Sequence, residues 1–490
     1  MSENKEEKKE EKQNLKNQEI IISNEYYKEC KNKNYEINDF YTLYKYLRDQ
    51  EPKIQFKGLV GMRKLCQKEY KKDNSKPIFN VLINNLMNFI KGYPEKFKNE
   101  SLISLINIEK LNFKENNEIK ITKDCELIDI VLSTIKNIKN SNIKISTFNN
   151  YLKYLKILIK DVNILEYMIK KKLIYDIINI IKYYINEPDI IITSIKISTN
   201  LFKKKENFDL DSKLLSLKEK DIKKPEDIIR IEIDLIDKYP ENTTLIKNIL
   251  KSMAGFILVD IPERLNLLID LNILQRIIQL VDSKDADIIL FSLRIIGDYA
   301  MNNNSFYTQQ LINLNALDQL KKTLKKEYNK NIRKESSFTL SNIAAGTVEQ
   351  VNKLYEEDFY PIFYDIIKNE EESPVKNNCL WALYNFSSIK NLDYLEKLVE
   401  NGYIKIIVDR FNIDHGEILA CSLEALGNFL NLRAKLRNPA NNNFIENEIN
   451  KLDIFNAIKQ LKKNNDEDLC QNKVNYILTY YFGVLDVNNL

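Results

Sequence analysis

Two aromatic residues are each followed, four residues later, by an asparagine. Phe338 precedes Asn342 in NIRKESSFTLSNIAAG, and Trp381, the single tryptophan of the chain, precedes Asn385 in SPVKNNCLWALYNFSS. Residues four apart lie on one face of an α-helix, so each segment presents an aromatic ring beside a carboxamide. A packed core would hardly place a polar carboxamide beside a ring twice. The two pairs therefore predict an exposed, ligand-binding helix face.

The same pattern recurs along the chain at an interval of about 43 residues. Trp381 follows Phe338 by 43 residues, and a further 43 residues lead to Glu424 in SLEALGNFLN. Toward the N-terminus, Arg294 and Asp298 are in register with Phe338 and Asn342. From Asp298 the register continues back to Phe256, Asn200, about Lys156, Asn107 and Lys64. A helical period of 40–47 residues is typical of armadillo or HEAT arrays. The spacing predicts an all-α fold, a right-handed α-solenoid of about ten repeats with a long concave groove.

Composition agrees with one helical array. Apolar residues make up 44% of the 490 residues and charged residues 29%, which suits amphipathic helices, while ten glycines and ten prolines are few for a sheet-rich protein. We predict a polar N-terminal arm over residues 1–38, an array over 39–482 and a tail over 483–490. The lysine-rich run near 203–225 interrupts the period and is interpreted as a loop insertion.

Several function classes lack the residues they need. His415 is the single histidine, no phosphate-binding glycine motif occurs, and the six cysteines form no C-x-x-C pair. The net charge of +4 comes from interspersed charges, which does not indicate nucleic-acid binding, and no apolar run is long enough for a membrane span. We expect a soluble intracellular protein that is not an enzyme and that has no cofactor, no metal, no nucleic-acid partner and no membrane partner.

The repeats resemble those of one armadillo family. SLRIIGDYAM, ESSFTLSNIAAG, CLWALYNFSS and SLEALGNFLN look like consecutive repeats of importin-α, the nuclear-import adaptor family built of ten armadillo units. The segment 267–298 is similar to the sixth-repeat region of that family, and the segment 450–482 resembles its tenth repeat. The resemblance is specific over about 256–482 and continues weakly back to about residue 39.

This resemblance implies a peptide-binding groove lined by the third helix of each repeat. In the family, tryptophans form slots for ligand lysines and arginines, the asparagine four residues later holds the ligand backbone, and acidic residues receive the cationic heads. Carried over by position, the implied peptide-binding residues are Arg294, Glu335, Phe338, Asn342, Trp381, Asn385, Glu424 and Asn428. Weaker candidates are Asn107, Asn200, Phe256 and Asp298.

The chain also departs from the family pattern. The earlier site of the family uses Trp–Asn pairs in repeats two to four, but the matching pairs here are Ile103/Asn107, Leu152/Lys156 and Lys196/Asn200. Ser252 stands where the fifth repeat has tryptophan, and Asn378 replaces a glutamate of the eighth. The N-terminal arm of the family is strongly basic, whereas residues 1–20 carry six glutamates against five lysines. We therefore expect the N-terminal half to bind basic peptides poorly.

Two functional hypotheses follow. In the first, the protein is a divergent nuclear-import adaptor that shuttles between cytoplasm and nucleus. It would bind basic localisation signals of cargo and an importin-β-like carrier, and by resemblance an export receptor at the C-terminal repeats. In the second, it is an armadillo scaffold for cytoskeletal or ciliary partners that has lost cargo transport. Binding of a carrier by the N-terminal region distinguishes the two hypotheses.

Overall fold

Helices without any strand make up the ordered elements of the described chain. The structure, a computed structural model, describes residues 24–34, 40–67, 76–115, 125–137, 143–202, 226–257, 262–388, 392–411, 416–435, 443–464 and 468–485. Its contacts divide the chain into two units, Met1–Phe256 and Ile257–Leu490. None of the helices in the described ranges is both long and apolar enough to span a bilayer.

The described residues of unit 2 form five repeats of three helices each. In every repeat two short helices precede a longer third helix, which packs against the third helix of the next repeat. The helices are α13 (Pro262–Asp270), α14 (Ile273–Leu280), α15 (Ala286–Ala300), α16 (Ser305–Asn313), α17 (Ala316–Thr323), α18 (Lys330–Ala344), α19 (Val348–Glu356), α20 (Phe359–Asn369), α21 (Ser373–Phe386), α22 (Leu392–Glu400), α23 (Tyr403–Arg410), α24 (Gly416–Lys435), α25 (Asn443–Lys451), α26 (Ile454–Asn464) and α27 (Asp468–Phe482). Three-helix units of this length are of the armadillo type.

Local sequence signals explain where these helices begin. Asp285 caps α15 by accepting hydrogen bonds from two backbone amides, and Thr347 forms a capping box with Gln350 at the start of α19. The turn between the first and second helix of each unit 2 repeat contains one residue with a left-handed backbone, which asparagine, aspartate and glycine adopt most readily. Those residues are Asn272, Asn315, Asp358, Gly402 and Asp453.

Unit 1 is built from the same kind of stacked helices, with less regular repeats. Within the described ranges, one repeat has three helices and the other long helices come in pairs. The helices are α1 (Asn24–Asn32), α2 (Phe40–Leu47), α3 (Pro52–Gln67), α4 (Lys76–Gly92), α5 (Glu95–Glu115), α6 (Cys125–Lys136), α7 (Ile145–Leu158), α8 (Val162–Lys170), α9 (Leu173–Tyr183), α10 (Pro188–Phe202), α11 (Glu226–Lys238) and α12 (Thr243–Ile257). The helices α3, α5 and α7 pack in succession, and α10 packs on α7.

Helix α1 is attached to unit 1 by a buried polar contact. The hydroxyl of Tyr27 donates to Glu100 Oε1 over 2.6 Å, and Arg63 Nε lies 2.6 Å from the other oxygen of the same carboxylate. The side chain of Glu100 is fully buried on α5. A buried carboxylate needs such partners, since an unpaired charge away from water is costly. Residues 24–32, which the sequence assigned to a polar arm, thus form a helix that packs on the array.

A second carboxyl group of unit 1 is buried with much weaker compensation. Glu232 of α11 is inaccessible to solvent, and neither of its oxygens has a hydrogen-bond partner among the described residues. Burial raises the pKa of Glu232 to about 8, although the hydroxyls of Ser252 and Ser198 oppose that rise. The two hydroxyl oxygens lie 3.2 Å apart, at the contact between α10 and α12. Burial therefore favours the protonated form of Glu232 at neutral pH.

The predicted fold class, an all-α solenoid, is confirmed. Helix α3 begins at Pro52, a residue type that the first turn of a helix accepts readily. Residues 1–23, the insertion near 203–225, His415 and the last five residues of the tail lie outside the described residues.

Candidate peptide-binding face of unit 2

Each long third helix of unit 2 keeps one strip of side chains open to solvent. Neighbouring third helices cover the two flanks of this strip, so that only positions spaced three or four residues apart remain accessible. We call the combined strips of α15, α18, α21 and α24 the unit 2 face. This face holds the eight implied peptide-binding residues in register, and all eight side chains are half-buried or exposed: Arg294, Glu335, Phe338, Asn342, Trp381, Asn385, Glu424 and Asn428.

Phe338 rests against the backbone of the preceding third helix. A Cβ atom added to Gly297 of α15 would lie 3.3 Å from Phe338 Cδ1 and 3.1 Å from Thr339 Oγ1. The glycine therefore allows the two helices to approach closely and supports one edge of the ring, while the ring stays half-buried. One turn later, Asn342 Nδ2 is shielded from water and has no hydrogen-bond partner in the described structure. This carboxamide has a donor that no described group of the protein uses.

Trp381 and Asn385 form the second pair, on α21. Trp381 is half-buried, and within the described ranges it contacts no other aromatic ring and no cation. Asn385 is also half-buried, and its side-chain carboxamide makes no hydrogen bond to a described residue. Between them lie the fully buried residues Ala382 and Leu383, which fix the helix in the core. An aromatic surface and an uncommitted carboxamide thus stand side by side on one helix face.

The acidic residue before Phe338 is already paired. Arg294 Nε donates to Glu335 Oε1 over 3.1 Å, which links α15 to α18 across the face. The guanidinium also lies 5.5 Å from the ring centroid of Phe291. One turn after Arg294, Asp298 is half-buried; burial and the charge of Glu335 raise its pKa to about 6, against the effect of Arg294. A cationic ligand group at this position would therefore compete with Arg294 for the carboxylates of Glu335 and Asp298.

The last two residues of the row are engaged by neighbouring elements. Lys473 of α27 donates to Glu424 over 2.9 Å, although the Glu424 side chain remains 65% exposed. Asn428 Nδ2 donates to Ser387 Oγ over 3.0 Å and so connects α24 to the end of α21. Of the three asparagines in this row, Asn428 alone has a hydrogen bond that holds two repeats together.

The weaker candidates of unit 1 have different environments. Asn107 and Asn200 are half-buried on the open strips of α5 and α10, and Asn107 Nδ2 has no partner among the described residues. Phe256 is fully buried and packs edge-to-face on Phe202, with 5.3 Å between ring centroids. A ligand on the surface cannot reach this ring. Phe256 is therefore a core residue and not the groove residue that the register predicts. Leu152, at a position where the family has tryptophan, is also buried.

Sequence reasoning missed the contacts between repeats that occupy these side chains. Asn378 donates to the carbonyl of Lys334 and to Ser337 Oγ, so the residue that replaces a family glutamate holds α21 against α18. The contact of Lys473 with Glu424 spans 49 residues, which is longer than the regular period. A periodicity search aligns equivalent positions, but it does not show which side chains of neighbouring repeats touch.

Comparisons with known proteins bear on the fold. No protein-family profile matches the chain, and no curated protein sequence is significantly similar to it. Among solved structures, an engineered protein from a structural genomics consortium overlays 90% of this chain and 98% of its own with a TM-score of 0.69 at 12% identity. This likeness supports the solenoid fold alone.

Designed armadillo repeat proteins match over about half of the chain. One, described in complex with the peptide (KR)4, covers 52% of this chain and 98% of its own, with 21% identity and a TM-score of 0.43. Another, described as computationally designed for modular peptide recognition, covers 51% and 97%, with 21% identity and a TM-score of 0.44. The described part of the chain is an armadillo-like helical array by its own three-helix repeats, and the engineered protein above overlays 90% of the chain.

Proposed function

We propose that this protein is a peptide-binding armadillo-type adaptor whose unit 2 face holds an extended, basic segment of a partner. The observation that carries the proposal is the pair Trp381 and Asn385, an open ring and an uncommitted carboxamide one helical turn apart. The ring can take the aliphatic stem and cation of a lysine or arginine, and the carboxamide can bond a backbone group of the ligand. Phe338 and Asn342 repeat the arrangement on α18.

Charge supports a cationic ligand. Among the described side chains, the open strips of α15, α18 and α24 hold five acidic residues and two basic ones: Asp287, Asp298, Glu335, Glu417 and Glu424 against Arg294 and Lys334. Helix α21 adds no acidic residue and carries one half-buried lysine, Lys376, so the acidic side chains remain in excess. Because Glu335 and Glu424 each pair with a basic side chain of the protein, a ligand cation would compete with Arg294 or Lys473. We therefore expect moderate affinity that decreases with added salt.

We further propose a role in nuclear import. A basic segment of this kind is what a nuclear localisation signal presents, and the repeats of unit 2 resemble those of importin-α. The protein would then carry cargo between cytoplasm and nucleus together with an importin-β-like carrier, and an export receptor would bind the C-terminal repeats. A pulldown from lysate with the full-length chain and an immobilised basic signal peptide tests carrier recruitment. Peptide retention without any carrier would favour the scaffold hypothesis.

The binding site itself is tested by titrating the full chain with a fluorescently labelled (Lys-Arg)4 peptide. Trp381→Ala should weaken binding by roughly 1–3 kcal/mol, since it removes a cation–π contact and the burial of a side-chain stem. Asn385→Ala should cost about 1–3 kcal/mol, because ligand backbone groups would lose their partner in the groove. Since Trp381 is the single tryptophan, its emission also reports ligand binding to the unmodified protein.

The matched control is Tyr364→Ala. This residue is a half-buried aromatic of the same repeat, on the second helix α20 and outside the open strip of α21. Its removal should leave peptide affinity unchanged. Wild-type affinity in both Trp381→Ala and Asn385→Ala, with normal thermal melts, would show that the unit 2 face is not a peptide site.

A further inference from the structure

The open strips of three long helices in unit 1 are rich in lysine. On α7, the accessible positions include Lys153 and Lys156, on α10 the strip contains Lys196, and on α12 it contains Lys247 and Lys251. We call these five lysines the lysine face. The same strips contain one acidic residue, Asp189 at the start of α10. The unit 2 face has the opposite balance, with more acidic than basic side chains.

The three helices lie next to one another, so these lysines belong to one surface. The hydroxyl of Thr193 on α10 donates to Asn149 Oδ1 on α7 over 2.8 Å, and Ser198 of α10 lies 3.2 Å from Ser252 of α12. These contacts are buried beneath the strips and fix the helices side by side. Neighbouring helix axes are about 8–10 Å apart, so the lysine face extends roughly 20 Å across the three helices.

We propose that the lysine face binds an extended acidic segment of a partner protein. Five lysines against one acidic residue give these strips an excess of positive charge, to which a run of aspartates or glutamates is complementary. Lys156, Lys247 and Lys251 also interact with other groups of the protein, so an acidic ligand would compete with those groups. Between the lysines lie three half-buried carboxamides, Asn150, Asn200 and Asn248. Asn150 Nδ2 donates to Asn99 Oδ1 and Asn248 Nδ2 donates to the carbonyl of Thr244, so these two residues offer their Oδ1 atoms as acceptors for the backbone N–H groups of an extended peptide. At about 3.3 Å per residue, six or more residues span the three helices. This inference is independent of the basic-peptide site proposed for unit 2.

The residue types favour a polypeptide over a nucleic acid. Single-stranded nucleic acids are bound by basic grooves that also carry aromatic rings for base stacking. The open strips of α7, α10 and α12 contain no aromatic residue and no arginine, and the whole chain has a net charge of only +4. Lysine with interspersed asparagine suits carboxylates and peptide groups.

The test is a titration of the full chain with a fluorescein-labelled peptide of about ten alternating glutamate and serine residues, at about 50 mM and about 300 mM salt. The variant Lys153→Gln/Lys156→Gln/Lys196→Gln keeps most of each side-chain stem and removes three charges. We expect it to weaken binding at low salt by about tenfold, which corresponds to three exposed ion pairs. Raising the salt concentration should weaken wild-type binding more than binding to the variant.

The matched control, Lys170→Gln/Lys182→Gln/Lys238→Gln, removes the same charge from exposed positions on α8, α9 and α11. It should bind the acidic peptide like the wild type, and both triple variants should keep their affinity for (Lys-Arg)4. If both triple variants bound the acidic peptide equally weakly, the loss would depend only on net charge, and this would overturn the proposal. Absence of binding to the acidic peptide at low salt, or tighter lysine-dependent binding of a ten-nucleotide single-stranded RNA, would overturn it as well.

Discussion

The buried acid Glu232 makes the stability of unit 1 depend on pH, with a sign and size that follow from its surroundings. Its pKa is about 8 in the folded chain and about 4.5 when exposed. Below about pH 4.5 the group is protonated in both states and carries no penalty. As pH rises from about 4.5 to about 8, only the unfolded chain loses the proton, so the stability of the folded state falls by up to 1.4 kcal/mol per pH unit. At pH 7 the accumulated loss is about 3 kcal/mol.

Glu232→Gln should remove this pH dependence. The amide cannot ionise, so the stability of the variant relative to the wild type should increase as pH rises from about 5 to about 8. Part of the gain at a fixed pH is offset because the buried amide also lacks hydrogen-bond partners, which costs about 1–3 kcal/mol. The difference in slope between the two proteins is therefore a cleaner measure than the difference in stability at one pH.

The assay is hydrogen exchange of the α10–α12 amides, corrected for intrinsic rates, together with thermal melts across the same pH range. Exchange resolves local opening, which matters in an array where each repeat depends on its neighbours. Glu241→Gln, which changes an exposed carboxyl between α11 and α12, is the control and should keep the wild-type slope. Parallel pH profiles for the wild type and Glu232→Gln would mean that the buried carboxyl does not carry the desolvation cost argued above.

The remaining predictions concern helix contacts and the charge of the unit 2 face. Gly427→Ala should raise the melting temperature, because an added Cβ meets open space and alanine favours the helix by about 0.5–1 kcal/mol. Gly58→Ala should destabilise the protein by roughly 1–3 kcal/mol, because its Cβ would lie 2.7 Å from Tyr46 Cβ. Equal melting temperatures for the two variants would contradict this reasoning. Affinity for (Lys-Arg)4 should increase from about pH 5 to about pH 7, as Asp298 with its pKa of about 6 becomes charged. Asp298→Asn should flatten that increase in a titration series, and an unchanged series would exclude Asp298 from the site.

The repeat architecture was predictable because it leaves a periodic signal. The interval of about 43 residues, read from Phe338 and Trp381, corresponds to the long third helices α18 and α21. The same register assigned the exposed pairs correctly to one helix face, since both rings and both carboxamides are half-buried. Their role in binding a peptide stays a prediction.

The register became unreliable where the repeat was irregular. Phe256 fits the interval but is buried, while the open strip of α12 contains Lys247 and Lys251. One residue of error rotates a position by about 100° around a helix, which is enough to exchange surface for core. An apolar ring at such a position packs inward against Phe202.

The sequence is rich in lysine, so a single lysine indicates little by itself. Their meaning depends on which helix faces stay open, and neighbouring helices decide that. Lys153 and Lys156 are three residues apart on α7, but Lys196 joins them only because α10 packs beside α7. Contacts between repeats also explain why Glu335 and Glu424 could not be recognised as paired acids from spacing alone.

The stacking of each helix mainly on its neighbours in sequence has a consequence for synthesis. A contact pattern that is local along the chain favours rapid folding. At about 5–20 residues per second, a ribosome releases one repeat of unit 2 every few seconds, which is longer than helical repeats need to fold. Each new third helix, such as α18, would then find the preceding one, α15, already formed as its template. The repeats of unit 2 would then fold in the order of their synthesis. A ribosome stalled within unit 2 would already carry folded repeats that precede the stall.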